Sequence, residues 1–140
     1  MNLQEFDNPM VEISFTRNST NDITCINIIG KNHPFDETLC QEFFTYMNQL
    51  INTCHSLQNF STSYYFDLTN VSVSVTYTLS KKLSPFFLER QNLTEKYLKS
   101  TIILCPHILI KMCIKGILKF KKIPTPIHFI SKSEDLVNFL

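Results

Sequence analysis

Along residues 10–16 (MVEISFT) apolar and polar side chains alternate with period two, the spacing that turns one face of a strand to a core and the other to water. A polar stretch at 17–22 separates this segment from 23–30 (ITCINIIG), and the pair predicts an antiparallel hairpin with a loop longer than the two-residue kind. The period then changes. Leu39, Phe43, Tyr46, Met47, Leu50, Ile51 and Cys54 recur at three- and four-residue steps, the pattern of a helix that buries one face. Asp36 precedes it as a candidate N-cap, with Glu37 in the first turn, where the positive end of the helix dipole favours an acid.

The aromatic run at 64–68 (YYFDL) predicts a short central strand. Strict alternation in 70–78 (NVSVSVTYT) favours a continuation of that strand, and a helix is expected from about Tyr77 to Tyr97, with a bend near Pro85. The unbroken apolar segment 101–105 (TIILC) predicts a strand buried on both faces of a parallel sheet. Pro106 suits the first turn of the next helix, about 106–121, and 127–130 (IHFI) reads as the last strand. Ser131 with Glu134 is a capping-box pattern for a final short helix ending at Leu140. The expectation is one α/β domain over residues 10–140 behind an N-terminal tail, 1–9. Its order is β-β-α-β-α-β-α-β-α, with a mostly parallel sheet made by right-handed crossovers and the first hairpin as its antiparallel edge.

Composition narrows the class. A chain of 140 residues, 44% hydrophobic and 18% charged, has the apolar material for a core and is neither disordered nor a fibrous rod. Gly30 and Gly116 are its two glycines, so the clustered glycines of a phosphate-cradling nucleotide loop are absent. The formal net charge of +1 hides an asymmetry: residues 1–70 carry two basic and eight acidic side chains, and residues 71–140 eleven basic and four acidic. Five cysteines (Cys25, Cys40, Cys54, Cys105, Cys113) without CxxC spacing read as small buried hydrophobes in a reducing compartment. The polar, acidic opening MNLQEFDNPM is no signal peptide, so a cytoplasmic location is expected and the sequons at Asn18, Asn59, Asn70 and Asn92 carry no glycosylation reading. The stretch 101–120 is interrupted by Pro106 and would place Lys111 and Lys115 in the bilayer at about 2.5–3.5 kcal/mol each, so no transmembrane segment is expected.

The segment Tyr64-Tyr65-Phe66-Asp67-Leu68-Thr69-Asn70-Val71-Ser72 resembles the strand and Asp-Leu-Ser/Thr-x-Val turn of STAS-like domains. These include the anti-sigma factor antagonists and are related to the CRAL-TRIO lipid-binding fold. Residues 100–105, 126–130 and 133–140 (SEDLVNFL) resemble that family's closing strand-helix-strand-helix, so the similarity extends over about residues 10–140. The resemblance implies a STAS-like fold and a regulatory role through protein–protein interaction. It also implies a phosphorylatable hydroxyl in the turn matching Val75-Thr76-Tyr77-Thr78, where Thr76 and Tyr77 stand at the serine positions and the family's acidic residue and glycine are absent. A phosphate there would add about −2 charge at a helix start and repel an acidic partner.

Few residues suggest catalysis. Cys105-Pro106-His107 falls between a strand end and a helix start, where a thiol pKa can be lowered, yet sequence places no base beside it, and a structural cysteine is the favoured reading. Cys54-His55 lacks the companion ligands of a zinc site. Asp36-Glu37 and Glu134-Asp135 open predicted helices and are explained by capping. The most functional-looking feature is the lysine stripe Lys111, Lys115, Lys119 and Lys122, a candidate face for an anionic partner, joined by Lys81, Lys82 and Lys121. Aromatic residues are not interleaved with these lysines as stacking on bases would require, which disfavours nucleic acid. The sequence therefore reads as a non-enzymatic interaction domain, without cofactor or metal, that binds a protein or self-associates. The alternative is a lipid- or anionic membrane-surface-binding domain using the basic, apolar helix at 106–121.

Overall fold

The structure, a computed structural model, describes residues 3–119 and 125–139; within 108–119 it omits the side chains at 109, 113 and 116–119. One six-stranded sheet runs through it in chain order: β1 (Phe6–Asp7), β2 (Val11–Arg17), β3 (Ile23–Gly30), β4 (Thr62–Asp67), β5 (Leu98–Leu104) and β6 (Ile127–Ile130). The β1–β2 and β2–β3 pairs are antiparallel, and β3 through β6 pair in parallel. The crossovers are α1 (Glu37–Ser56), then α2 (Val73–Glu89) with the single turn α3 (Gln91–Thr94), then α4 (Ile108–Lys119). A 3-10 helix (Ser133–Phe139) closes the chain. The α/β class and the mostly parallel sheet with an antiparallel N-terminal edge stand as expected.

Parallel strands taken in sequential order all step across the sheet in one direction. Right-handed connections then put every crossover helix on the same face. Burial follows that geometry. Ile13, Ile26, Ile28 and Tyr64 pack with Phe43, Met47 and Ile51 of α1 and Phe86 of α2, and Ile103 packs with Ile110 and Ile114 of α4. The opposite face carries Cys25, Tyr65, Ile102, Leu104 and Ile130, met by Leu136 and Phe139 of the 3-10 helix. Both faces of β5 are therefore buried, which is why 101–105 reads as an unbroken apolar run. Asp36 caps α1 as its sequence suggests, its carboxylate accepting from the Leu39 N–H at 3.0 Å.

Five expectations are corrected. Residues 6–7 do not lie in a tail: they form β1, Phe6 packs on Tyr46, and the Asn8 side chain donates to the Leu39 carbonyl. Residues 73–78 do not continue a strand, because α2 begins at Val73, with Ser72 as its cap accepting from the Val75 N–H at 3.3 Å. Tyr97 lies outside the helix: the chain turns at Arg90 and again at Thr94, and the Tyr97 carbonyl accepts from the Thr62 N–H across the sheet. Pro106 stands two residues ahead of α4, whose first bond runs from the Lys111 N–H to the His107 carbonyl. The closing helix is of 3-10 type and starts at Ser133, with the Asp135 N–H on the Lys132 carbonyl, so Ser131 does not cap it. The expected helix end at 121 and chain end at Leu140 lie outside the described residues.

Gly30 closes β3 where the turn leaving β4 crosses it. A Cβ there would stand 2.3 Å from Val71 Cγ2 and 3.4 Å from the Asp67 carbonyl oxygen. Gly30→Ala is expected to destabilise the fold by about 1–3 kcal/mol through this overpacking. The pair Gly30→Ala/Val71→Ala should recover part of that loss in urea unfolding, and an unchanged midpoint for the single variant would contradict the close approach.

Candidate ligand site

The helix face of the sheet is floored by cross-strand rows, Tyr64–Thr101–Ile127 and Phe66–Ile103–Phe129, because parallel pairing aligns these residues in register. Over this floor α2 and α4 do not close completely. A cavity of about 160 Å³ remains between them, lined by Tyr64, Phe66, Leu83, Phe87, Ile103 and Ile114 among others. Its lining follows α2 from Thr76 to Leu88, roughly 18 Å of helix at about 1.5 Å per residue, so the space is a slot along the helix. A second cavity of about 50 Å³ lies between α1 and α2, and Leu79 and Leu83 line both.

The local sequence explains why α2 makes such a wall. Thr76, Leu79, Leu83 and Phe87 recur at three- and four-residue steps and turn to the sheet, while Lys81 stands on the solvent side with its Nζ 4.3 Å from the Tyr77 ring centroid. The turn into α2 is set by Asp67, whose carboxylate accepts from the Thr69 N–H at 2.9 Å. Lys82 ties α2 to α1 through Glu37, 3.2 Å away.

Among the described residues no charged side chain lines the slot. Its polar groups differ in what they already do. Tyr64 has its hydroxyl hydrogen-bonded to that of Tyr97, and burial raises both phenol pKa values above the ordinary range. Thr94 donates to the Gln91 carbonyl at 3.2 Å, and Gln91 donates to Glu95. Three buried side-chain hydroxyls among the described residues have no hydrogen-bond partner, and two of them, Thr76 Oγ1 and Ser84 Oγ, belong to this slot.

The other residues singled out from sequence are scattered. Thr76 is 2% exposed, out of a kinase's reach while α2 is folded, whereas Tyr77 beside it is 44% exposed. Cys105 is buried, donates to the His107 carbonyl at 3.6 Å, and has its thiol pKa raised by burial, with Lys111 opposing, so the lowered pKa of a helix-start nucleophile is absent. Burial likewise pushes the Cys25 and Cys54 thiols up to about 12. His55 lies against the Leu93 carbonyl at 3.3 Å, and no cluster of three or more potential metal ligands occurs among the described residues. Of the lysine stripe, Lys111 is half-buried and Lys115 sits 5.2 Å from the Phe129 ring centroid. The Lys119 side chain, Lys121 and Lys122 lie outside the described residues. No described helix is long and apolar enough to cross a membrane.

The fold thus defines an α/β protein with its crossover helices on one face and an apolar slot beneath two of them. No protein-family model, curated protein or solved structure matches the chain. The slot was not legible from the sequence, which pointed instead to helix 106–121. The signal that could have found it is the row Thr76, Ser80 and Ser84, hydroxyls at four-residue steps on the face that also carries Leu79, Leu83 and Phe87.

Proposed function

We propose that this protein is a non-enzymatic lipid-binding domain that takes a linear alkyl or acyl chain into the slot between α2, α4 and the sheet. One observation carries the reading: a cavity of about 160 Å³ whose described lining is uncharged, largely apolar and follows α2 from Thr76 to Leu88. A compact void of similar volume lined by Leu, Ile and Phe suits a small ring, whereas an elongated one suits an unbranched chain. At roughly 1.25 Å of length per carbon–carbon bond, the lined part of α2 bounds the chain at about fourteen carbons, and the volume favours shorter ones.

Titrating the full chain with 1-octanol is expected to give saturable one-to-one binding by calorimetry. The unfolding midpoint should rise with ligand, by about 2.7 kcal/mol of stability at a hundred times Kd. Absence of saturable binding by alcohols and alkanes of six to twelve carbons would overturn the reading.

A second reading, the STAS-like interaction domain, is supported by exposed Ile108 (69%) and Met112 (63%) one turn apart on α4, beside Lys111. Such a face suits an apolar, acidic partner surface. Lys111→Glu/Lys115→Glu separates its sources: lost salt-sensitive flotation with anionic vesicles assigns the face to membrane, and altered oligomer mass with no vesicle binding assigns it to protein.

A further inference from the structure

We infer that the slot's ligand carries an uncharged oxygen function held by Thr76 Oγ1, with Ser84 Oγ as a second contact farther along the chain. This rests on the slot being a binding site and adds the chemical class of what enters it. The observation is the pairing of need and place. Buried hydroxyls almost always find a partner, in helices commonly the carbonyl one turn back, and neither of these does. Thr76 is 2% exposed in the first turn of α2, and Thr76 and Ser84 both belong to the lining of the same apolar slot.

Eight residues separate them, roughly 12 Å of helix, too far for one water to serve both. Each hydroxyl both donates and accepts, so each suits an alcohol, aldehyde, ketone or ester oxygen equally well. Among the described residues no lysine, arginine or histidine lines the slot, so its described lining offers no partner to a carboxylate or phosphate removed from water. The Tyr64 hydroxyl already has a hydrogen-bond partner in Tyr97, unlike Thr76 and Ser84. The ligand class is therefore a neutral, singly or doubly oxygenated medium-length chain.

The test compares 1-octanol, 1,8-octanediol, octane and octanoate at pH 7 on the full wild-type chain, Thr76→Val and Ser84→Ala. Thr76→Val replaces a hydroxyl by a methyl of like shape and removes an unpartnered buried polar atom, so its unfolding midpoint should hold or rise. Octanol affinity should fall fivefold or more in Thr76→Val while octane affinity holds or improves, a crossing that a merely structural threonine would not produce. Ser84→Ala should cost octanediol more than octanol, and octanoate should bind wild type at least tenfold more weakly than octanol. Equal octanol and octanoate binding, or an octanol-to-octane ratio unchanged by Thr76→Val, would overturn the assignment while leaving the slot as a hydrocarbon site. If neither octane nor octanol binds wild type, the slot reading itself fails.

Discussion

Leu79→Trp is expected to lower 1-octanol affinity tenfold or more without lowering the unfolding midpoint. Leu79 is half-buried on α2 and lines both cavities, of about 160 and about 50 Å³. Inserting bulk into a well-packed core usually costs about 1–3 kcal/mol, because neighbours must leave their rotamers. Here the indole can extend into empty space, gaining contacts that the apolar walls otherwise lack. A stability loss like that of a packed site would mean that the space is filled in solution by side-chain rearrangement. Unchanged octanol binding would place the ligand elsewhere. Leu83→Trp, one turn on and also shared by both cavities, provides an independent second plug.

Ile26→Ala is expected to lower the unfolding free energy by about 2–5 kcal/mol, the cost of lost apolar burial plus a cavity the rigid surroundings cannot close. Ile26 is fully buried at the centre of β3, in register with Phe15 on one side and Tyr64 on the other, and belongs to the cluster that joins α1 to the sheet. A stable domain has only about 5–15 kcal/mol in hand, so the loss is a large share of the total. In urea the midpoint should fall with little change in slope. Ile108→Ala, an apolar truncation on the exposed side of α4, should stay within about 0.5 kcal/mol of wild type. Equal costs at the two positions would contradict this placement of the core.

Local pattern was legible wherever one signal dominated. Residues 10–16 alternate, 23–30 follow a polar turn as the partner strand, apolar positions from Leu39 to Cys54 repeat at helical spacing behind an aspartate, and residues 101–105 are apolar without a break; each lies in the element it suggested. Residues 70–78 failed because two periods coexist there. Val71, Val73 and Val75 alternate as a strand would, while Val73, Thr76, Ser80 and Ser84 also step as a helix, and the alternation is the easier to see. What decides between them is not local: beyond the end of β4 at Asp67 the turn brings Val71 against Gly30 of the neighbouring strand, and Ser72 then caps α2. The helix predicted to reach Tyr97 fails for a related reason, since that tyrosine lies in the turn just ahead of β5, with its hydroxyl bonded to that of Tyr64 on β4.

The candidate site was less legible than the fold. The lysine stripe stands out because charge is visible in sequence, yet Lys115 of that stripe lies over Phe129 and Lys82 pairs with Glu37. A slot is a property of what does not fill the space between two helices, and no residue encodes it alone. The sequence by itself determined the α/β class, the strands β2 to β6, the Asp36 cap of α1 and the absence of a glycine-rich phosphate loop, because these depend on residues within a few positions of one another. Only the tertiary structure decided that the crossover helices share one face, that residues 6–7 complete the sheet edge, and that Thr76 and Ser84 line one slot with no charged side chain among its described residues. Those outcomes rest on strand register and crossover handedness, which bring together side chains tens of residues apart.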